Sequence, residues 1–291
     1  MSRVILGKFM KKLNRRKFLE GSVSLATGFY GASLISAAEG VSENWGIERL
    51  GLQLYTMRKE MDSDFEGTLA RIAELGYSEV EFAGYFDRLP NEVRKVLDTN
   101  GLISPAAHIP WQSVRDNLDF EIERALVLGQ KNIVIPYLGP NERTESHYKQ
   151  LIETLNFAGE SCKKAGVRIG YHNHDFEFQP IAGMVPYDLI LDETEDSLVD
   201  FELDLYWIAH AGIDPIPYFE KYPGRFTMLH LKDRTSDGEM AAIGSGEINF
   251  ESIFSRAELA GVRHYFVEHD NPTNAFASIR KSYGALSTMR I

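Results

Sequence analysis

The chain has 291 residues, 44% hydrophobic and 25% charged, enough apolar material for a sizeable core in one large domain or two small ones. Its formal net charge of −11 argues against a nucleic-acid partner, because a phosphate backbone needs a positive face. The single cysteine, Cys162, excludes an internal disulfide and an all-thiolate metal site.

Residues 1–38 read as an export signal. Lys8, Lys11, Lys12, Arg15, Arg16 and Lys17 form a basic stretch, residues 23–35 a mildly apolar run rich in small side chains, and Ser36-Ala37-Ala38 a site with cleavage expected after Ala38. The run is too short and too weakly apolar to span a bilayer, so no stable membrane span is expected. Asn14-Arg15-Arg16-Lys17-Phe18-Leu19 resembles a twin-arginine signal. That implies a periplasmic or otherwise exported protein that folds, cofactor included, before transport. Residues 39–47 are expected to be a linker and 48–291 the catalytic domain.

From residue 48 onward, short β-branched or aromatic runs alternate with helical periodicity. Strands are expected at 50–55, 78–82, 104–109, 132–137, 167–172, 199–204, 225–231 and 264–269. Helices are expected between them, among others at 65–75, 92–99, 117–128, 145–165 and 250–260. Gly76, Gly101, Gly129, Gly166 and Gly261 stand where a helix should stop. Eight strand–helix units in this length predict an α/β fold, a single-domain (β/α)8 TIM barrel. An open doubly wound sheet often has a phosphate-cradling glycine loop after its first strand, and residues 54–58 contain no glycine.

Alternation within the strands sorts their side chains into two faces. Leu52, Leu54, Val80, Phe82, Ile169, Tyr171, Val199, Phe201 and Leu203 form the apolar parity, which should meet the helices. Gln53, Glu81, His108, His172, Asp204, His230 and Glu268 then point inward near the strand ends. Seven polar groups at one mouth would be a costly core unless they bind something.

His172, Asp204, His230 and Glu268, from the ends of strands five to eight, supply two imidazoles and two carboxylates for one divalent metal. The mixed nitrogen and oxygen set suits manganese, cobalt, zinc or iron(II) better than calcium, and magnesium is also compatible. Taken singly, an Asp here is as readily a helix N-cap and a His a satisfied core group; their shared parity and edge make the set.

The strings Leu203-Asp204-Leu-Tyr-Trp207, His230-Leu-Lys232-Asp233, Val267-Glu268-His-Asp270 and Tyr171-His-Asn-His-Asp-Phe-Glu177 resemble the xylose isomerase-like barrel superfamily of sugar isomerases and epimerases. So does Gly244-Ser-Gly246-Glu-Ile-Asn-Phe250. The likeness runs through essentially all of 48–291. In the better-known sugar epimerases the metal is held by Glu, Asp, His and Glu from these four strands, and the two glutamates also move protons. Asp204, His230 and Glu268 take over three of those places. His172 stands in the fourth, so either it ligates and Glu177 handles protons, or Glu177 swings in as ligand; the inward parity of His172 favours the first.

The implied activity is a metal-dependent isomerase or epimerase acting on a keto-sugar or related polyol ketone by proton abstraction, through an enediolate that the metal stabilises. Glu268 is the expected base, with Glu177 or His108 returning the proton and Lys232 steadying the oxyanion. Gln53 and Glu81 are expected to bind the substrate, Glu81 alternatively orienting a histidine. Trp111 would stack on a sugar face or pack as a loop residue over the mouth. Expulsion of a β-oxygen from the same enolate would be elimination, and relatives sharing the Tyr-His-Asn-His string look similar to enzymes of 3-keto-sugars. A 3-keto-glycoside lyase or hydratase is therefore the alternative. A non-catalytic sugar-binding barrel ranks below both. A multi-zinc phosphodiesterase would need a basic rim. No phosphate-cradling glycine loop or arginine cluster is legible by the mouth. Barrels of this kind often pair, which leaves a homodimer open.

Overall fold

The structure, a computed structural model, describes residue 47 and residues 49–289. The expected export signal at 1–38 and, apart from Ile47, the linker at 39–47 lie outside the described residues. Eight parallel strands close into a barrel: β1 (Leu50–Gln53), β2 (Glu79–Ala83), β3 (Ile103–His108), β4 (Asn132–Ile135), β5 (Arg168–His172), β6 (Val199–Asp204), β7 (Phe226–Leu231) and β8 (His264–Val267). Each pairs with its sequence neighbours, and β8 closes on β1 through Gly51 and Phe266. Among the described residues no helix is long and apolar enough to cross a membrane.

Local chemistry sets the element ends. The first strand stops at Gln53, two residues short of expectation, because its side chain accepts from Tyr55 N–H and starts a 3-10 turn over Leu54–Met57. Thr144 caps the helix Glu145–Ala165, which Gly166 ends, as the sequence predicts. The helix expected at 117–128 begins earlier, at Trp111, and kinks at Asn117 (φ −140°, ψ 34°). The one expected at 250–260 divides into Phe250–Phe254 and Ala257–Ala260. All five helix-stop glycines have positive φ. At Gly261 the need is strict: a Cβ would lie 2.8 Å from the Cα of Gly224.

The barrel interior is layered, and the layers position the site. At the bottom His264 bonds Glu79 and Arg168 bonds Asp200. Above them Ala106, Val134, Met228 and Phe266 form an apolar plug. Gly51 makes room for it, since a Cβ there would meet the Phe266 ring at 2.4 Å. The expected outward parity packs against the helices: Leu52, Val80, Ile169, Phe201 and Leu203 are fully buried. The polar residues stand on the plug, at the carboxyl ends of the strands.

Candidate metal and active site

Strands β5 to β8 bring His172, Asp204, His230 and Glu268 together, with one donor atom of each within 4.8 Å of the others. The histidines are oriented from outside the cluster. His172 Nδ1 lies 3.1 Å from the Pro136 carbonyl, which only accepts, so the proton sits on Nδ1. Its Nε2 lone pair then faces Asp204 Oδ2 at 3.2 Å. His230 Nε2 bonds Glu81 Oε2 at 2.7 Å. Its Nδ1 lies 2.8 Å from Glu268 Oε2 and 3.7 Å from Asp204 Oδ2, yet is buried without a hydrogen bond. With the Nε2 proton given to Glu81, a neutral His230 turns its Nδ1 lone pair to these carboxylates, an arrangement that either a proton or a metal ion relieves. These residues fit a divalent metal, with Pro136 and Glu81 as the groups that fix its imidazoles.

Asp204 divides its two oxygens. Oδ1 accepts from Trp207 N–H at 2.9 Å and caps the helix Leu205–His210, while Oδ2 faces the cluster. Asn173 Oδ1 accepts from the Asp204 amide, tying β6 to the loop after β5. Lys232 Nζ lies 2.9 Å from Asp204 Oδ2, 2.7 Å from Glu268 Oε2 and 2.8 Å from Asp270 Oδ1. Against the penalty of burial, Lys232 holds both Asp204 and Glu268 below the usual carboxylate range. Burial, the largest influence, depresses His172, which keeps it neutral and able to ligate. Burial and the Glu268 charge push Asp270 up to about 6.

Above the cluster opens a cavity of about 1040 Å³. His108, His172, Lys232, Glu268 and Asp270 meet it from the floor, and Tyr55, Tyr137, Phe176 and Trp207 form an aromatic wall. Arg88, Arg124 and Arg143 also line it, which corrects the expectation that no arginines gather by the mouth. They come from separate loops and helices, so no local string announces them. Arg88 pairs with Glu66 and Arg124 with Glu121, whereas Arg143 lies 3.5 Å over the Phe176 ring. Asp233 fills the Gly244–Gly246 loop: its Oδ2 accepts from the amides of Gly244, Ser245 and Gly246. The amides that could cradle a phosphate are therefore taken.

Four expected roles are corrected. Glu177 does not reach the mouth. The 3-10 turn Phe176–Phe178 folds it behind β5, fully buried, where it accepts from Tyr171 Oη at 2.6 Å and from His174 N–H at 2.8 Å. In this position it belongs to neither the metal cluster nor the cavity lining. Trp111 lies on a helix and is 2% exposed; its Nε1 bonds Thr154 Oγ1, away from the cavity. Gln53 and Glu81 sit one step below the cavity, with no exposure, Gln53 Nε2 donating to Glu81 Oε2 at 2.7 Å. Neither lines the cavity, and Glu81 orients His230, the second of the two roles expected for it.

Three residues escaped the sequence reading. Glu202 shares the parity of Asp204 and bonds His108 Nε2 at 2.7 Å. Asp270 closes the ion cluster around Lys232. His174, fully engaged by the rings of His172, Phe176 and Trp207, lines the cavity. Glu202 was legible as an inward carboxylate; the other two lie beyond the strands, where alternation says nothing.

Residues 69–286 match the family described as xylose isomerase-like TIM barrel. An inosose dehydratase of Geobacillus kaustophilus is 24% identical over 229 residues, 65% of this chain and 74% of that protein. A 2-oxo-tetronate isomerase of Haemophilus influenzae is 24% identical over 219 residues, 66% of this chain and 82% of that protein. The crystal structure of a sugar phosphate isomerase/epimerase from Parabacteroides distasonis is 30% identical with a TM-score of 0.73, covering 87% of this chain and 98% of its own.

Proposed function

The chain belongs to the xylose isomerase-like TIM barrel family, and from that premise we propose that it is a divalent-metal-dependent lyase that removes a β-oxygen from a keto-sugar or related polyol ketone. When bound at His172, Asp204, His230 and Glu268, the metal supplies Lewis-acid polarisation of the ketone. Glu268, kept as a carboxylate beside Lys232, takes the hydrogen from the carbon next to the carbonyl. The electron pair passes to the carbonyl oxygen. On its return it forms the carbon–carbon double bond and breaks the bond to the β-oxygen. Lys232 and Asp270 stand on the same side and give the departing oxygen its proton, so that it leaves as water or an alcohol. Arg143 and the aromatic wall favour a substrate with a planar or anionic substituent beyond the reacting carbons.

One observation carries the choice of elimination. Of the glutamates on the barrel floor, Glu268 alone lines the cavity, among the described residues. The position that would carry a second proton-moving carboxylate holds His172, whose Nδ1 is committed to Pro136. Stereochemical inversion needs a base on each face of the substrate. Syn elimination needs a base and an acid on one side, an arrangement that Glu268, Lys232 and Asp270 support. The relatives named inosose dehydratases support dehydration. The isomerase or epimerase reading stands second, supported by the 30% identical Parabacteroides distasonis protein. Incubating metal-loaded protein with inososes, keto-sugars and 3-keto-glycosides in deuterated water separates the two by mass and proton spectra. Loss of water or aglycone supports the lyase. A deuterated isomer or epimer supports the second reading, and neither product nor α-hydrogen exchange across the panel refutes both. Export through the N-terminal segment is part of the same proposal.

A further inference from the structure

The floor of the barrel gathers more buried carboxylates than the upper cluster uses. Glu81, Glu202, Asp204 and Glu268 are each at most 5% exposed, and Asp270 stands beside them. Lys232 is the one ammonium in contact with this group among the described residues. The other groups there able to take a positive charge are His108 and His230, and both stand against Glu81 and Glu202. Glu81 and Glu202 meet no lysine or arginine, among the described residues. Ala106, Val134, Met228 and Phe266 separate them from the Arg168–Asp200 pair at the bottom of the barrel. Gln53, which donates to Glu81, is neutral.

The donors around those two carboxylates already form a set. Glu81, His108, Glu202 and His230 each place a donor atom within 4.8 Å of the others. His108 Nε2 lies 2.7 Å from Glu202 Oε2 and 3.6 Å from Glu81 Oε2, and His230 Nε2 lies 3.2 Å from Glu202. Glu81 Oε1 and Glu202 Oε1 are both buried with no hydrogen-bond partner. Carboxylate oxygens left unmatched in a dry interior are costly to a fold. We propose that Glu81, His108 and Glu202 hold a second divalent cation beneath the first, with His230 standing between the two ions. Its donors, carboxylates and imidazoles, suit manganese, cobalt, zinc or iron(II). The lower site would leave the upper cavity open to substrate and keep Glu81 in register behind His230. The proposal rests on the reading of the upper cluster as a metal site only for the total count.

The test is metal stoichiometry on the full chain. Protein stripped with chelator is reloaded with manganese(II), dialysed, and measured by elemental analysis and electron paramagnetic resonance. Two manganese ions per chain with a spin-coupled spectrum are expected in the wild type. Glu202→Gln should retain one ion with an uncoupled spectrum, and His108→Asn should do the same. Asp204→Asn should lose the upper ion and keep the lower. One ion in the wild type, retained in Glu202→Gln and lost in Asp204→Asn, overturns the second site and leaves the upper one standing. No bound ion in the wild type overturns both. The wild-type count decides the matter even if a variant fails to fold.

Discussion

Replacing Glu177 with glutamine tests whether this residue anchors the fold or serves the chemistry. Its carboxyl is fully buried, and burial pushes its pKa up to about 7, with the Tyr171 hydroxyl and the His174 amide pulling the other way. In the unfolded chain it titrates near the ordinary glutamate value of 4.5. A raised folded pKa means that the folded protein prefers the protonated form. The associated stability is fully present below pH 4.5, falls as pH rises, and is lost above about 7. A shift of this size corresponds to about 3 kcal/mol, most of it between pH 5 and pH 8. Glutamine cannot ionise, so the stability of Glu177→Gln relative to wild type should improve by about 2.5 kcal/mol on going from pH 5 to pH 8. Comparing the two pH values cancels whatever constant the amide loses by facing the His174 N–H. Urea unfolding of both proteins at each pH measures the difference. An unchanged gap would refute the burial argument. Turnover of the folded variant should stay within a few-fold, whereas a proton carrier would lose roughly 10²- to 10⁴-fold.

Glu268→Gln should lower turnover by roughly 10²- to 10⁴-fold while circular dichroism and unfolding stay close to wild type, because its carboxyl meets Lys232 and His230 rather than the apolar core; wild-type turnover would remove it from the chemistry. Trp111→Ala should destabilise the fold by about 3–5 kcal/mol with KM unchanged, since the ring is packed between helices. A raised KM at unchanged stability would return Trp111 to the substrate. Chelation should inactivate the protein and manganese or cobalt should restore it; full activity in a sample shown by elemental analysis to be metal-free would overturn the metal dependence. If residues 1–38 direct export, replacing Arg15 and Arg16 with lysine should leave full-length chain in the cytoplasm, as cell fractionation and N-terminal sequencing would show, and unaltered export would exclude the twin-arginine route.

The barrel and its floor were legible because a strand has a period of two. Phe201 and Leu203 against Glu202 and Asp204 admit one orientation, and repeating the assignment over seven of the strands places the polar parity inside. Depth is a different quantity. Gln53 and Glu81 have the same parity as Glu268 but end one step lower, because strand tilt and stagger, which set the layers, leave no mark on any single strand. Glu177 misled through proximity in sequence: five residues beyond His172, it is returned by a 3-10 turn to the side of β5 that Tyr171 occupies. Trp111 misled through an element boundary, since the kink at Asn117 hides the first two turns of its helix from a periodicity search.

The floor residues serve the fold and the site with different atoms, and this explains how so polar a cluster persists under a core. Asp204 gives one oxygen to the Trp207 amide and the other to the cluster. His172 gives one nitrogen to Pro136 and turns the other inward. His230 does the same through Glu81. In each case the bond on the outer side fixes the rotamer, so the inner atom is presented without freedom to turn away and ordering it costs no further entropy when a ligand arrives. Asparagine at 204 would keep the cap through its amide oxygen and remove the charge, whereas alanine would remove both. The two substitutions therefore separate the structural atom from the chemical one, and a difference between them in metal content but not in stability would contradict this division of labour.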